Sequence, residues 1–122
     1  ELLFCYMKYH VYFALITFII STSSFAETET VEVNVTKDKP HEECFFIGEN
    51  TKIEYKYKSN NPLAFNLHFH DDKGMNYLIE LPNSTQSTKV VEDLTPKQVY
   101  CLMWELEKGN ASQLSYSFEL GN

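Results

Sequence analysis

Two histidines one residue apart, His68 and His70, lie in the stretch "FNLHFHDD" (65–72). In an extended chain, residues i and i+2 project from the same face with Cβ atoms roughly 6–7 Å apart. Two neutral imidazoles at that spacing can converge on one ion, and imidazole nitrogen suits zinc, copper and nickel. Two ligands make a weak site and three or four a competent one. The further ligands the sequence offers are Asp71, Asp72 and His41, with Met75 and Met103 if the ion is cuprous. The plainer reading is that the pair solvates an outer strand face and that Met103, at a core-facing position, fills space.

Cys44 and Cys101 are the other chemistry-bearing residues. An even cysteine count in an exported domain reads as a structural disulfide. The alternative is a pair of free thiols that bind metal, though neither cysteine has a CxxC partner. Nucleophilic or hydrolytic catalysis finds no motif: there is no GxSxG and no HExxH. Adjacent carboxylates such as Asp71-Asp72 point apart in an extended chain. The expectation is a chain that is not an enzyme.

Residues 1–26 carry "MKYHVYFALITFIISTSSFA", with a lysine, an apolar run and a small-residue end at Ser24-Phe25-Ala26. This is the pattern of a secretory signal peptide preceded by upstream residues, and Cys5 goes with it. Residues 27–122 are then a single domain. The expected address is periplasmic or secreted, with no membrane span after signal cleavage. The net charge is −7 and arginine is absent, so nucleic acid, which is bound by neutralising cations, is excluded as a partner.

The elements that must position these residues are strands. "TVEVNV", "TKIEYKYK", "LAFNLHFH", "MNYLIEL", "STKVVE", "QVYCLMWEL" and "QLSYSFEL" alternate or run apolar, with turn clusters such as Ser59-Asn60-Asn61-Pro62 and Asp71-Asp72-Lys73-Gly74 between them. This pattern predicts an all-β antiparallel sandwich of about 7–8 strands. Period two sends Phe65, Leu67 and Phe69 inward with Ile53, Tyr55 and Tyr57, which puts His68 and His70 together on the wet side. On "VYCLMW", Val99, Cys101 and Met103 share one face and Tyr100, Leu102 and Trp104 the other. The second set is expected on a partly covered outer side, as an apolar patch for a protein partner; the plainer reading is that other strands cover it fully.

The stretches "EECFFIGENTKIEYKYKS", "NLHFHDDKG" and "QVYCLMWELEKGNASQLSYSFEL" resemble the GOLD domain of the Golgi cargo-receptor family, over roughly 42–120. The resemblance implies a β-sandwich in which Cys44 and Cys101 are joined as a disulfide. That family continues into a coiled coil, a membrane span and a sorting tail, whereas this sequence ends at Asn122. The expectation is therefore a free-standing GOLD-like domain without the cargo-receptor role. The wording of "NLHFH" and "YCLMW" is also similar to small exported bacterial proteins of unassigned function. Immunoglobulin domains place their core tryptophan between the two cysteines, and Trp104 follows the second. Two functions stand. The first is an exported, non-catalytic domain that binds a protein partner through Tyr100, Leu102 and Trp104. The alternative is periplasmic handling of copper or zinc through His68 and His70.

Overall fold

A computed structural model describes residues 28–122, so the expected signal peptide lies outside the described residues. Six strands follow in order: β1 (Val31–Thr36), β2 (His41–Phe46), β3 (Lys52–Asp71), β4 (Gly74–Val91), β5 (Val99–Glu105) and β6 (Ala111–Gly121). They form one sheet in the order β1-β6-β3-β5-β2, and β4 lies along the remaining edge of β3. Every pairing is antiparallel.

The count of about 7–8 strands is corrected to six, because two expected turns are passed in extended form. "TKIEYKYK" and "LAFNLHFH" are halves of β3, and "MNYLIEL" and "STKVVE" are halves of β4. At Ser59–Pro62 the ladder to β4 is interrupted between Lys58 and Leu63. The start of β6 takes over the polar groups there. Asn61 N donates to Ser112 Oγ at 3.2 Å, Ser112 Oγ donates to the Asn61 carbonyl at 2.8 Å, and Gln113 N donates to Asn60 Oδ1 at 2.8 Å. Turn-forming residues thus hold a strand junction through their side chains. Opposite them Pro82 and Asn83 fall where the β3–β4 register shifts. The turn at 71–74 does form: Asp71 Oδ1 accepts from Lys73 N at 2.8 Å, and Gly74 adopts φ 120°, a conformation that L side chains rarely take.

The first half of β3, 52–59, pairs with β6, and its second half, 64–69, pairs with β5. The sheet therefore curls, and its inner faces meet around Trp104. The indole lies 5.3 Å from the Phe65 ring, 5.7 Å from Tyr57 and 4.5 Å from Tyr116. Phe45 and Phe118 approach to 4.9 Å between the halves. Ile53, Tyr55, Tyr57, Phe65 and Leu67 are buried on odd positions of β3, as their alternation predicts. The bridge between Cys44 and Cys101 is present, with Cα atoms 4.1 Å apart on directly paired positions of β2 and β5. Closing a loop of 57 residues stabilises the fold by about 4 kcal/mol on the chain-entropy account.

This pairing reverses the faces expected for β5. Cys101 sits opposite both Cys44 and His68 on the outer face. Tyr100, Leu102 and Trp104 consequently point inward, with exposures of 2%, 0% and 0%. They are core residues, not the expected partner-binding patch. Met103, expected to face the core, stands on the outer side with Cys101. The physical reason is area: three large side chains outweigh a valine, a cysteine and a methionine in the competition for burial. Trp104→Ala is expected to cost about 3–5 kcal/mol, against under about 0.5 kcal/mol for Val99→Thr at an exposed position of the same strand. Urea denaturation of the two variants measures both, and similar losses would contradict this facing.

Candidate functional site

The outer face of the β2-β5-β3-β4 half is a grid of three cross-strand rows. In the first, Phe46 pairs with Val99 and His70 with Met75, Val99 and His70 being the residues next after the last β5–β3 pair, Tyr100 and Phe69. Cys44, Cys101, His68 and Tyr77 form the second row, and Glu42, Met103, Asn66 and Glu80 the third. A register shift between Leu67 and His68 sets this arrangement. Leu67 pairs with Ile79 but His68 with Tyr77, so Leu78 is passed over and Tyr77 is brought beside the imidazole, 5.9 Å between ring centroids.

The cover supplied by Tyr77 and the disulfide changes what the two histidines are. His70 is exposed, but His68 has 0% exposure although it lies on the outer face. The expectation that both stand on the wet side holds for His70 and is corrected for His68. Their rings lie 5.1 Å apart, edge to face. His68 Nδ1 is 2.6 Å from Asn66 Oδ1, and with Nδ1–H donating there the lone pair is on Nε2. That Nε2 is buried with no hydrogen-bond partner, and Glu42 Oε2 lies 3.6 Å from it.

The further ligands expected from the sequence divide. His41 is on the other face of the sheet, where its Nε2 is 2.8 Å from Tyr116 Oη and its ring stacks on Trp104 at 5.9 Å. It cannot join His68 on one ion, because the sheet separates them. Asp71 is engaged in its turn, and Asp72 is exposed in the same turn. Met75 stands across from His70 and takes a hydrogen bond from Tyr77 Oη at 3.5 Å. Met103 stands between Glu42 and Asn66. Among the described residues, one group of three His, Cys, Asp or Glu ligand atoms lies within 4.8 Å of one another: Glu42, Cys44 and Cys101. The sequence reading missed Glu42, Asn66, Tyr77, Phe46 and Val99. The alternation Glu42-Cys44-Phe46 was the signal for two of them, Glu42 and Phe46, since a cysteine bridged to a neighbouring strand fixes the face of the residues two before and two after it.

Burial pushes the His68 imidazole below its ordinary pKa, with Glu42 opposing the shift and His70 adding to it. His68 is therefore neutral at pH 7, and its approach to Glu42 is not an ion pair. Burial lowers His41 in the same way against the opposing charge of Glu43. It also raises Tyr116 to about 12, with Glu43 adding to the rise. Both imidazoles bind a proton more weakly in the folded chain than in the unfolded chain. Their contribution is then fully present above about pH 6.5 and is lost as pH falls toward the lowered folded values.

A surface groove of about 690 Å³ lies on the other half of the sheet, where Lys56, Lys58, Gln86, Thr88, Ser115 and Ser117 line it. It holds neither histidine nor cysteine. No protein-family model matches the chain. No curated protein matches it either. Among solved structures, a de novo designed double-stranded β-helix is similar to it at 15% identity and a TM-score of 0.46, covering 75% of this chain and 100% of that one. A likeness at that level carries no argument.

The urea midpoint is expected to fall between pH 7 and pH 5, and to fall less in His68→Gln than in the parent. Parallel titrations check this, and an equal or steeper fall in the variant would contradict the assigned direction.

Proposed function

We propose that this chain is an exported, non-catalytic binding domain that docks a protein partner on the outer face of the β2-β5-β3-β4 half. The observation that carries this reading is a set of four exposed apolar side chains on three of four adjacent strands: Phe46 at 62% exposure, with Val99, Met75 and Tyr77. Exposed apolar residues gathered on one face and bordered by charge are how contact surfaces look. The border here is acidic, with Glu42 and Glu80 at one end and Asp71 and Asp72 at the other. The chain as a whole carries a net charge of −7. The partner this fits is a protein face with an apolar centre and a basic rim. An exported setting is supported by the disulfide, which persists in oxidising compartments. A GOLD-like sandwich remains our architectural reading, favoured by the curled antiparallel sheet and the cysteine bridge.

The test is affinity capture with the purified chain. A specific partner should be retained by the parent and by Val90→Ser, which alters an exposed apolar residue on the other half, and lost at least tenfold in Phe46→Ser/Val99→Ser. Its retention should also weaken as salt is raised. A species held equally by all three proteins, or one insensitive to salt, counts against the surface.

A second reading is favoured by the 5.1 Å approach of His68 and His70, with Met75 opposite His70. In this reading the oxidised chain handles copper or zinc at the imidazole pair in the periplasm. Copper(II) titration should then show binding that weakens below about pH 6 and disappears in His70→Ala, because protons compete for the ring nitrogens. Unchanged binding in that variant removes this reading.

A further inference from the structure

We propose that the Cys44–Cys101 bridge masks a zinc site, which opens when the disulfide is reduced and takes Glu42, Cys44, Cys101 and His68 as ligands. This site lies on the same outer face as the docking surface, with Glu42 common to both, and does not use His70.

Three observations converge on it. The ligand atoms of Glu42, Cys44 and Cys101 lie within 4.8 Å of one another. Glu42 Oε1 is 3.3 Å from Cys44 Sγ, a contact without a hydrogen bond because a disulfide sulfur carries no proton. The third observation is independent of the cluster. His68, with 0% exposure, holds Nε2 without a partner and presents it to this group on its Glu42 side, 3.6 Å from Oε2. The buried nitrogen lone pair is left without a partner, while the carboxylate it faces is 43% exposed to solvent. A cation between them would pair the nitrogen and bind the carboxylate.

Three of the four ligands already stand together, and His68 Nε2, outside their 4.8 Å group, approaches it through Glu42 and would close on the ion once the bridge opens. Zinc–sulfur bonds of about 2.3 Å set the two sulfurs roughly 3.7 Å apart, and zinc–nitrogen and zinc–oxygen bonds of about 2.0 Å set those atoms roughly 3.3 Å apart. Directly paired positions with Cα atoms 4.1 Å apart keep two thiolates close enough to share an ion. The 3.6 Å between His68 Nε2 and Glu42 Oε2 is near the second separation. Asn66 Oδ1, 2.6 Å from Nδ1, plays the part that an outer hydrogen bond plays for a metal-ligating histidine, fixing the tautomer and aiming Nε2.

The steps balance. A dithiol reductant gives two electrons and two protons to the S–S bond, leaving two cysteine thiols and becoming a disulfide itself. Zinc then displaces one proton from each thiol and is held by two thiolates, the Glu42 carboxylate and neutral His68. A small-molecule disulfide then takes the two electrons back by thiol–disulfide exchange, leaving as two thiolates while the Cys44–Cys101 bond re-forms and the ion is released. The chain would thereby exchange a covalent cross-link for a coordinate one according to redox state.

The experiment uses the full chain, oxidised or reduced with a phosphine that is then removed, and zinc alone, measured by competition with a chromophoric chelator. Cobalt(II) is the spectroscopic probe. One zinc per reduced chain is expected, with affinity at least 100-fold above that of the oxidised chain, and thiolate-to-cobalt charge transfer only after reduction. His68→Ala should weaken zinc binding by at least tenfold, and His70→Ala should leave it unchanged. Equal binding by oxidised and reduced chains overturns the proposal. So does loss of binding in His70→Ala with retention in His68→Ala. The oxidised and reduced parent proteins need no substitution, and circular dichroism follows their fold. A reduced chain that loses its β signal and does not regain it with zinc also overturns the site.

Discussion

The structure depends on one strand serving two neighbours in succession. β3 is hydrogen-bonded to β4 along one edge, while its other edge pairs first with β6 and then with β5. Because the strand stays in phase, its odd residues line a single core from Ile53 to Leu67 even though the sheet curls about its middle. A side chain slipped by one position would carry the whole set to the wrong face. This phase also carries the even residues Asn66, His68 and His70 to the outer side, where the grid of the candidate site is laid out. Core and site are two faces of the same alternation.

The core and the outer face meet at β5. Tyr100, Leu102 and Trp104 fill the interior, and the residues between them must then turn outward, Cys101 among them. A disulfide on an outer face, between directly paired strands, does more than close a long loop. It lies beside a carboxylate and an imidazole, and it helps remove His68 from water. The same sulfur pair therefore bears on chain entropy, on the protonation of a histidine and on what the surface can bind.

The alternation of β3 was legible in its residues, as were the pairing of Cys44 with Cys101 and the turn at 71–74. Ser59-Asn60-Asn61-Pro62 was not, because turn composition and a side-chain-bonded strand junction use the same residues. What separates them is Ser112, some fifty positions away, and local propensity carries no information about it. The facing of β5 was ambiguous because both of its faces are apolar, so period two assigns partners without saying which set is inside. The burial of His68 depended on a one-residue register shift in β4 that places Tyr77 where Leu78 would otherwise fall. Such a shift leaves no mark in a window of sequence.

β4 pairs with β3 along one side only, which leaves the other side of an 18-residue strand with open peptide groups. Long unpaired borders of this kind invite chains to stack on one another. The run "LPNSTQSTK" answers that hazard in its composition. Pro82 removes an amide donor, the shift in register beside it bends the border, and Lys89 puts a like charge opposite any second copy. Replacing Pro82 and Lys89 with β-branched apolar residues would spare Ser84 and Ser87, the hydroxyl partners of Tyr57 and Tyr55, yet strip that border of its guards against stacking.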